Sequence, residues 1–204
     1  MDQPAGPAHG AAVLSGPRAA RRSGRRGSGS GLCLLTVGHG TMTSQGFIEL
    51  LRAAAVEGVV DVRSIPGSRR HHPQFTLDQL ASWLPDVDIG YRWEPRLGGF
   101  RRPRPDSPNV ALRHASFRAY ADHMASPEFA AALAEVVAGT ATRQTAAMCA
   151  ETLWWRCHRR LIADAAVLLH GICVRHLGHD GRLADHRLTD GVRVEEGKLV
   201  YDAA

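Results

Sequence analysis

Short apolar runs alternate with amphipathic stretches along most of the chain, and this order restricts the fold more than any other feature. Residues 32–37 form an apolar run typical of a buried strand, residues 43–56 carry apolar side chains at helical spacing, and residues 59–62 form a second apolar run. These three segments predict a β-α-β unit. The alternation continues with predicted helices over 76–84, 117–124, 127–138 and 157–170 and predicted strands over 91–93, 145–149 and 172–177.

Strands that alternate with helices predict an α/β fold. We expect a single domain over residues 31–204, with a mostly parallel sheet, helices on both of its faces and a Rossmann-like three-layer architecture. Gly191 and Gly197 flank short alternating runs near the end of the sequence, which indicates a terminal hairpin. Residues 1–30 carry almost no large apolar side chain, so we expect them to form a disordered tail.

Length, composition and charge restrict the class of protein further. The chain has 204 residues, of which 44% are apolar, which is enough for one domain with a real core. No apolar run approaches the ~20 residues of a membrane span, so a soluble protein without membrane contact is predicted. The net charge is +5, but five arginines and one aspartate in the first thirty residues account for +4 of it. A contact with nucleic acid would therefore need a local arginine cluster.

The four cysteines indicate the compartment. Cys33, Cys149, Cys157 and Cys173 do not show the paired framework of a small secreted domain, and three of them lie in or beside apolar segments. A reducing cytoplasm is therefore predicted. The arginine pairs of the tail precede an apolar stretch of only six residues, which is a first strand rather than the core of an export signal.

Polar and reactive side chains follow four of the predicted strands. They occupy segments 38–41, 61–63, 94–99 and 149–151. The carboxyl ends of parallel strands share one edge of a sheet, so these segments are predicted to line a common crevice. Structural alternatives remain open, because Asp61 and Arg63 face the same side of a strand and are able to form a buried ion pair.

Two groups of side chains are candidates at this crevice. The candidate catalytic residues are His39, Asp61, Cys149 and Glu151. Arginines pair with phosphates, exposed indoles stack on bases, and a Gly-His-Gly turn offers main-chain amides to an anion. The candidate substrate and phosphate contacts are Gly38, Thr41, Arg63, Arg69, Arg70, Trp154, Trp155, Arg156, Cys157, His158 and Arg159.

The cysteine-rich segment 149–159 allows three chemistries. Cys149 follows a strand and precedes a helix, which is a position for a thiol nucleophile. Cys149, Cys157 and His158 with one distant ligand could hold zinc, but their spacing lacks the short Cys-x2–4-Cys knuckle of structural sites. In the third alternative Glu151 is a general acid or base and the cysteines are semi-buried small residues. Because the spacing disfavours the zinc site, the sequence predicts no metal and no cofactor.

Six motifs in order resemble the bacterial domain-of-unknown-function 488 family over residues 34–180. They are Val37-Gly38-His39, Val60-Asp61-Val62-Arg63, Arg69-Arg70-x-x-Pro73-x-Phe75, Tyr91-x-x-x-Pro95-x-Leu97-Gly98-Gly99, Phe117-x-x-Tyr120-x-x-x-Met124 and Cys149-Ala150-Glu151-x5-Cys157-His158-Arg159. The resemblance implies a compact α/β domain whose motif residues include Asp61, Arg63 and the 149–159 segment. That family carries Gly-His-Ser in the first motif, whereas here Gly40 stands in place of the serine and Thr41 follows it.

Three functions are compatible with these residues. The first is an enzyme acting on a nucleotide or nucleic-acid base, in particular a DNA glycosylase-like hydrolase for a modified or damaged base, with DNA as its expected partner. The second is a rhodanese-like sulfur carrier, which the bulky residues 152–155 disfavour because a persulfide loop is rich in Gly and Ser. The third is a non-catalytic module that binds nucleotides or nucleic acid.

Overall fold

The computed structural model describes residues 33–67 and 72–202. Three predictions lie outside these residues. They are the disordered tail over 1–30 and the phosphate contacts assigned to Arg69 and Arg70.

A mostly parallel sheet forms the centre of the described region, as predicted. In order along the sheet its six described strands are β3 (Gly90–Trp93), β2 (Gly58–Asp61), β4 (Thr145–Cys149), β1 (Leu34–Gly38), β5 (Val174–Leu177) and β6 (Leu183–Asp185). Strands β1 to β5 are parallel, and β6 pairs antiparallel with β5. The predicted terminal hairpin is present as β7 (Val192–Glu195) and β8 (Lys198–Tyr201), which form a separate two-stranded sheet.

Helices begin and end close to the signals in the sequence. Among the described residues they are α1 (Ser44–Ala53), α2 (Leu77–Trp83), α3 (Ala115–Met124), α4 (Pro127–Thr140) and α5 (Arg159–His170), with 3-10 turns at Pro73–Phe75, Pro85–Val87, Pro95–Leu97 and Trp154–Arg156. The hydroxyl groups of Thr43 and Ser126 accept hydrogen bonds from the first turns of α1 and α4. Helix α5 stops at Gly171, whose positive φ suits a glycine after a helix end.

Two apolar clusters cover the two faces of the sheet. Leu35 and Val37 belong to one cluster and Leu34 to the other, as expected because neighbouring side chains of a strand point to opposite faces. Helices α1 and α2 contribute to the first cluster, and α3, α4 and α5 contribute to the second. Helices therefore pack on both faces. No helix in the described part of the chain is long and apolar enough to cross a membrane.

A disulfide joins Cys33 to Cys173. The sequence contains no sign of this pairing, because the two residues are 140 positions apart. The register of the sheet explains it. Leu34 of β1 pairs with Val174 of β5, and the preceding residues therefore lie side by side with their Cα atoms 4.6 Å apart.

The last strand supports a loop that is distant from it in sequence. Ala111 donates its main-chain N–H to the carbonyl of Tyr201 at 2.8 Å, and the side-chain oxygen of Asn109 accepts from the N–H of Tyr201 at 3.1 Å. Tyr201 itself is fully buried. Strand β8 therefore holds the segment around residues 109–111 in place.

Candidate functional site

A cleft of about 1250 Å³ opens at the carboxyl ends of β2 and β4. It is lined by residues 63–65 after β2, residues 149–151 at the end of β4 and residues 155–158 before α5. Parts of segments 99–120 and 189–191 complete it. The predicted site residues that line this cleft are Arg63, Cys149, Glu151, Trp155, Arg156, Cys157 and His158.

Two thiols and an imidazole meet at the end of β4. Nδ1 of His158 lies 3.5 Å from Sγ of Cys157 and 3.9 Å from Sγ of Cys149. The other ring nitrogen, Nε2, donates a hydrogen bond to the carbonyl of Val62 at 2.9 Å. This bond fixes the tautomer, because a nitrogen that donates to a carbonyl carries the proton and leaves Nδ1 as an acceptor in the neutral ring.

The two thiols differ in how readily they ionise. Burial opposes ionisation of Cys157, but a hydrogen bond from Cys149 and the nearby His158 and Arg159 bring the pKa of Cys157 well below its ordinary value. The hydrogen bond to Cys157 and burial raise the pKa of Cys149 well above its ordinary value. Cys157 is therefore the thiol that ionises first, although Cys149 was the nucleophile considered from the sequence.

Glu151 is an exposed carboxylate that lines the cleft beside the two thiols. Its Oε1 accepts a hydrogen bond from the main-chain N–H of Leu153 at 3.1 Å, which orients the side chain. The main-chain carbonyl of Glu151 accepts from the guanidinium of Arg159, a fully buried arginine that also donates to Sγ of Cys157. Arg159 therefore links the loop that carries Glu151 to Cys157. Its guanidinium contacts these protein groups, and Arg159 does not line the cleft, although it was a candidate phosphate contact.

Asp61 lies beneath the cleft as one half of a buried ion pair. It is 0% exposed, and Arg63 donates to its two carboxylate oxygens at 2.8 and 2.5 Å. Tyr91 donates its hydroxyl to the same carboxylate at 2.9 Å. The buried ion pair that the sequence left open for Asp61 and Arg63 is therefore present. Asp61 has its oxygens occupied by protein groups, which makes it a positioning residue for Arg63 in this arrangement.

His39 is held behind the same arginine. Its Nδ1 donates to the carbonyl of Gly40 at 2.9 Å, and its Nε2 accepts from Arg63 at 3.2 Å. Burial and the charge of Arg63 lower the pKa of His39 to about 4. The ring stacks on Phe75 with centroids 4.1 Å apart. His39 is therefore a neutral, fully engaged imidazole that supports Arg63.

Arginines and aromatic rings surround the opening of the cleft. Trp155 is 49% exposed and lines it with Arg156, whereas Trp154 stacks on the buried ring of His176 with centroids 3.9 Å apart. One of the two predicted tryptophans therefore faces the cleft. Sequence reasoning missed two lining residues that lie in loops without a local motif, Phe100 and Arg113. Phe117, the first residue of a family motif, and Arg160 at the start of α5 also line the cleft.

Glycines allow close approach at two places in the site. A Cβ on Gly38 would lie 1.9 Å from the main-chain oxygen of Glu151, and one on Gly99 would lie 2.7 Å from Nδ1 of His158. Gly38 therefore brings β1 against the loop that carries Glu151. Thr41, the other candidate of this segment, is exposed on the turn before α1.

Replacing Gly38 by alanine is expected to destabilise the protein by about 2 kcal/mol or more, because the clash is with main-chain atoms of Glu151 that cannot rotate away. Gly139 in α4 is the matched control, since a Cβ there meets nothing within 4 Å. Gly139→Ala should leave stability unchanged or raise it by up to ~1 kcal/mol. Urea unfolding of both variants measures this difference, and equal midpoints would contradict it.

Fold and site together define the class of this protein. It is an α/β domain with a mostly parallel sheet and a cleft at the carboxyl ends of its strands, in which a dithiol-imidazole cluster lies beside an exposed glutamate. The chain belongs to the family Domain of unknown function DUF488, whose family model matches residues 43–166. The match contains the motifs from Asp61 to Arg159 and confirms the resemblance seen in the sequence. No curated protein and no solved structure matches the chain.

Proposed function

We propose that the protein is an enzyme that acts on a nucleotide or nucleic-acid base, as an N-glycosidic hydrolase that releases a modified or damaged base from DNA. The observation that carries this proposal is the composition of the cleft. It combines cationic side chains, exposed aromatic rings and an exposed carboxylate in one concave surface. Such a combination suits a ligand that has phosphates, a planar base and a sugar carbon that reacts.

Each part of the ligand has a matching group in the cleft. Arg113 and Arg156 offer guanidinium groups to phosphate oxygens. Trp155 and Phe100, which is 84% exposed, offer faces on which an extruded base is able to stack. Glu151 would activate water or stabilise the positive charge that develops on the sugar.

The proposal includes a Rossmann-like character of the fold and a cytoplasmic location. The first rests on the parallel strands with helices on both faces and the cleft at their carboxyl ends. The second rests on the free thiols Cys149 and Cys157 at the cleft. The Cys33–Cys173 disulfide counts against a reducing compartment, since such bonds are rare there.

A screen of the full chain against DNA oligonucleotides with single modified bases tests the proposal. We expect release of the free base, detected by mass spectrometry, from at least one oligonucleotide of the panel. Trp155→Ala should reduce turnover, whereas Leu188→Ala, a change at an exposed apolar side chain that does not line the cleft, should leave it unchanged. Tight binding without base release would contradict the enzyme and favour a non-catalytic module.

One observation favours thiol chemistry as the second candidate function. Two free thiols and an imidazole line the cleft, which a glycosylase does not require. A sulfur carrier would retain a persulfide after incubation with thiosulfate, because a cysteine thiolate takes the outer sulfur of thiosulfate while sulfite leaves. Intact-mass measurement would then show an added sulfur on Cys149 or Cys157, and no such mass change is expected for the hydrolase.

A further inference from the structure

We propose that Cys149, Cys157 and His158 bind a zinc ion whose fourth coordination position faces the cleft. The Sγ atoms of the two cysteines and a nitrogen of the histidine all lie within 4.8 Å of one another. The three residues line the cleft from two different elements, the end of β4 and the start of α5. This site does not depend on the substrate proposed above.

The spacing of the ligand atoms is close to that of an assembled zinc site. With zinc–sulfur bonds of about 2.3 Å and zinc–nitrogen bonds of about 2.0 Å, tetrahedral geometry separates a sulfur from a nitrogen by about 3.5 Å. The distances from Nδ1 of His158 to the two sulfurs are 3.5 and 3.9 Å. A metal ion would therefore need only small movements of these side chains.

The surroundings of the ligands are those of a metal site. Nε2 of His158 donates to the carbonyl of Val62, so Nδ1 presents its lone pair to the sulfurs. Nε of Arg159 donates to Sγ of Cys157 at 3.4 Å, which is a common second contact of a metal-bound thiolate. These two contacts therefore hold His158 and Cys157 in place without a bound ion.

The types of ligand select the metal. Two thiolates and one imidazole favour a borderline-soft ion such as Zn²⁺ over Mg²⁺ or Ca²⁺, which prefer oxygen. Three protein ligands leave one position for water or substrate, as in catalytic rather than structural zinc sites. The Cys-x7-Cys-His spacing lacks the knuckle of a structural zinc site, but the fold brings the end of β4 and the residues just before α5 together, so that their three ligand atoms lie within 4.8 Å of one another.

Metal content and spectroscopy of the full chain test this site. Protein purified under reducing conditions without a metal-chelating tag should contain about one zinc ion per chain. After removal of zinc, addition of Co²⁺ should give the thiolate charge-transfer absorption and intense visible bands of tetrahedral cobalt. X-ray absorption of the zinc form should show two sulfur and one nitrogen neighbours from the protein.

Variants identify the ligands. Cys149→Ser, Cys157→Ser and His158→Gln should each weaken Co²⁺ binding by more than about 100-fold. The double variant Cys33→Ser/Cys173→Ser is the control, because these cysteines lie in the disulfide and should leave the cobalt spectrum unchanged. If a ligand variant fails to fold, the spectra of the unaltered chain still decide the question.

Three results would overturn the site. They are reduced protein that contains no zinc and gives no thiolate–cobalt absorption, retention of the metal in all three ligand variants, and a Cys149–Cys157 disulfide in protein prepared under reducing conditions. Failure of base release would not count against it, since metal binding is measured without substrate. Equally, loss of this site would leave the proposal for the cleft standing.

Discussion

Replacing Asp61 by asparagine is expected to destabilise the protein by about 3–5 kcal/mol, the largest effect on stability that we predict. The change keeps the shape of the side chain but removes the charge that pairs with Arg63. Arg63 is only 6% exposed, so its guanidinium would remain buried with an uncompensated charge. The free energy of unfolding, obtained from urea denaturation followed by circular dichroism, measures the loss.

A matched control for Asp61 exists elsewhere in the chain. Arg104 and Asp106 form the same kind of ion pair with the same two-residue spacing, but at the surface, where the aspartate side chain is 70% exposed. Asp106→Asn should therefore leave stability nearly unchanged. Equal small losses in both variants would show that the Asp61–Arg63 pair does not stabilise the fold in the way that its burial implies.

Replacing Glu151 by glutamine is expected to lower the rate of base release by about 100-fold or more, the usual contribution of a positioned acid or base. Because Glu151 is exposed, the free energy of unfolding should stay the same. The rate of base release by the variant, measured on an oligonucleotide that the unaltered chain cleaves, checks this prediction.

The variant Asp190→Asn distinguishes loss of acid–base chemistry from simple loss of negative charge in the cleft. Asp190 is an exposed carboxylate that lines the same cleft, so Asp190→Asn removes the same charge without removing Glu151. We expect Asp190→Asn to retain most of the activity. Full activity of Glu151→Gln, combined with loss of activity on alkylation of the thiols, would reject the carboxylate mechanism and favour sulfur transfer.

Burial explains which parts of the fold the sequence predicts. Strands β1, β2 and β4 are buried throughout, so each is a mainly apolar segment that is visible in the sequence. Strand β6 has three residues with no buried side chain and was not predicted. The position of β4 between β1 and β2 and the disulfide at Cys33 depend on strand order, which the local pattern does not contain.

In the candidate site, too, some groupings could be predicted from the sequence and others could not. Cys149, Cys157 and His158 are close in sequence, and their grouping could be predicted from the motif. The Asp61–Arg63 ion pair was an alternative visible in the two-residue spacing, whereas the contact of His39 with Arg63 joins segments that are distant in sequence and could not be predicted. The lining residues Phe100 and Arg113 belong to segments whose positions are set by packing rather than by periodicity.

The support that β8 gives to the 109–111 loop has a consequence for synthesis on the ribosome. Ala111 and Leu112 line the cleft, yet the partner of Ala111 is Tyr201, which lies in the much later strand β8. A nascent chain that already contains Cys149 and Cys157 therefore lacks the support for one wall of the cleft until Tyr201 has also been translated. The thiols have their finished surroundings only after β8 has left the exit tunnel.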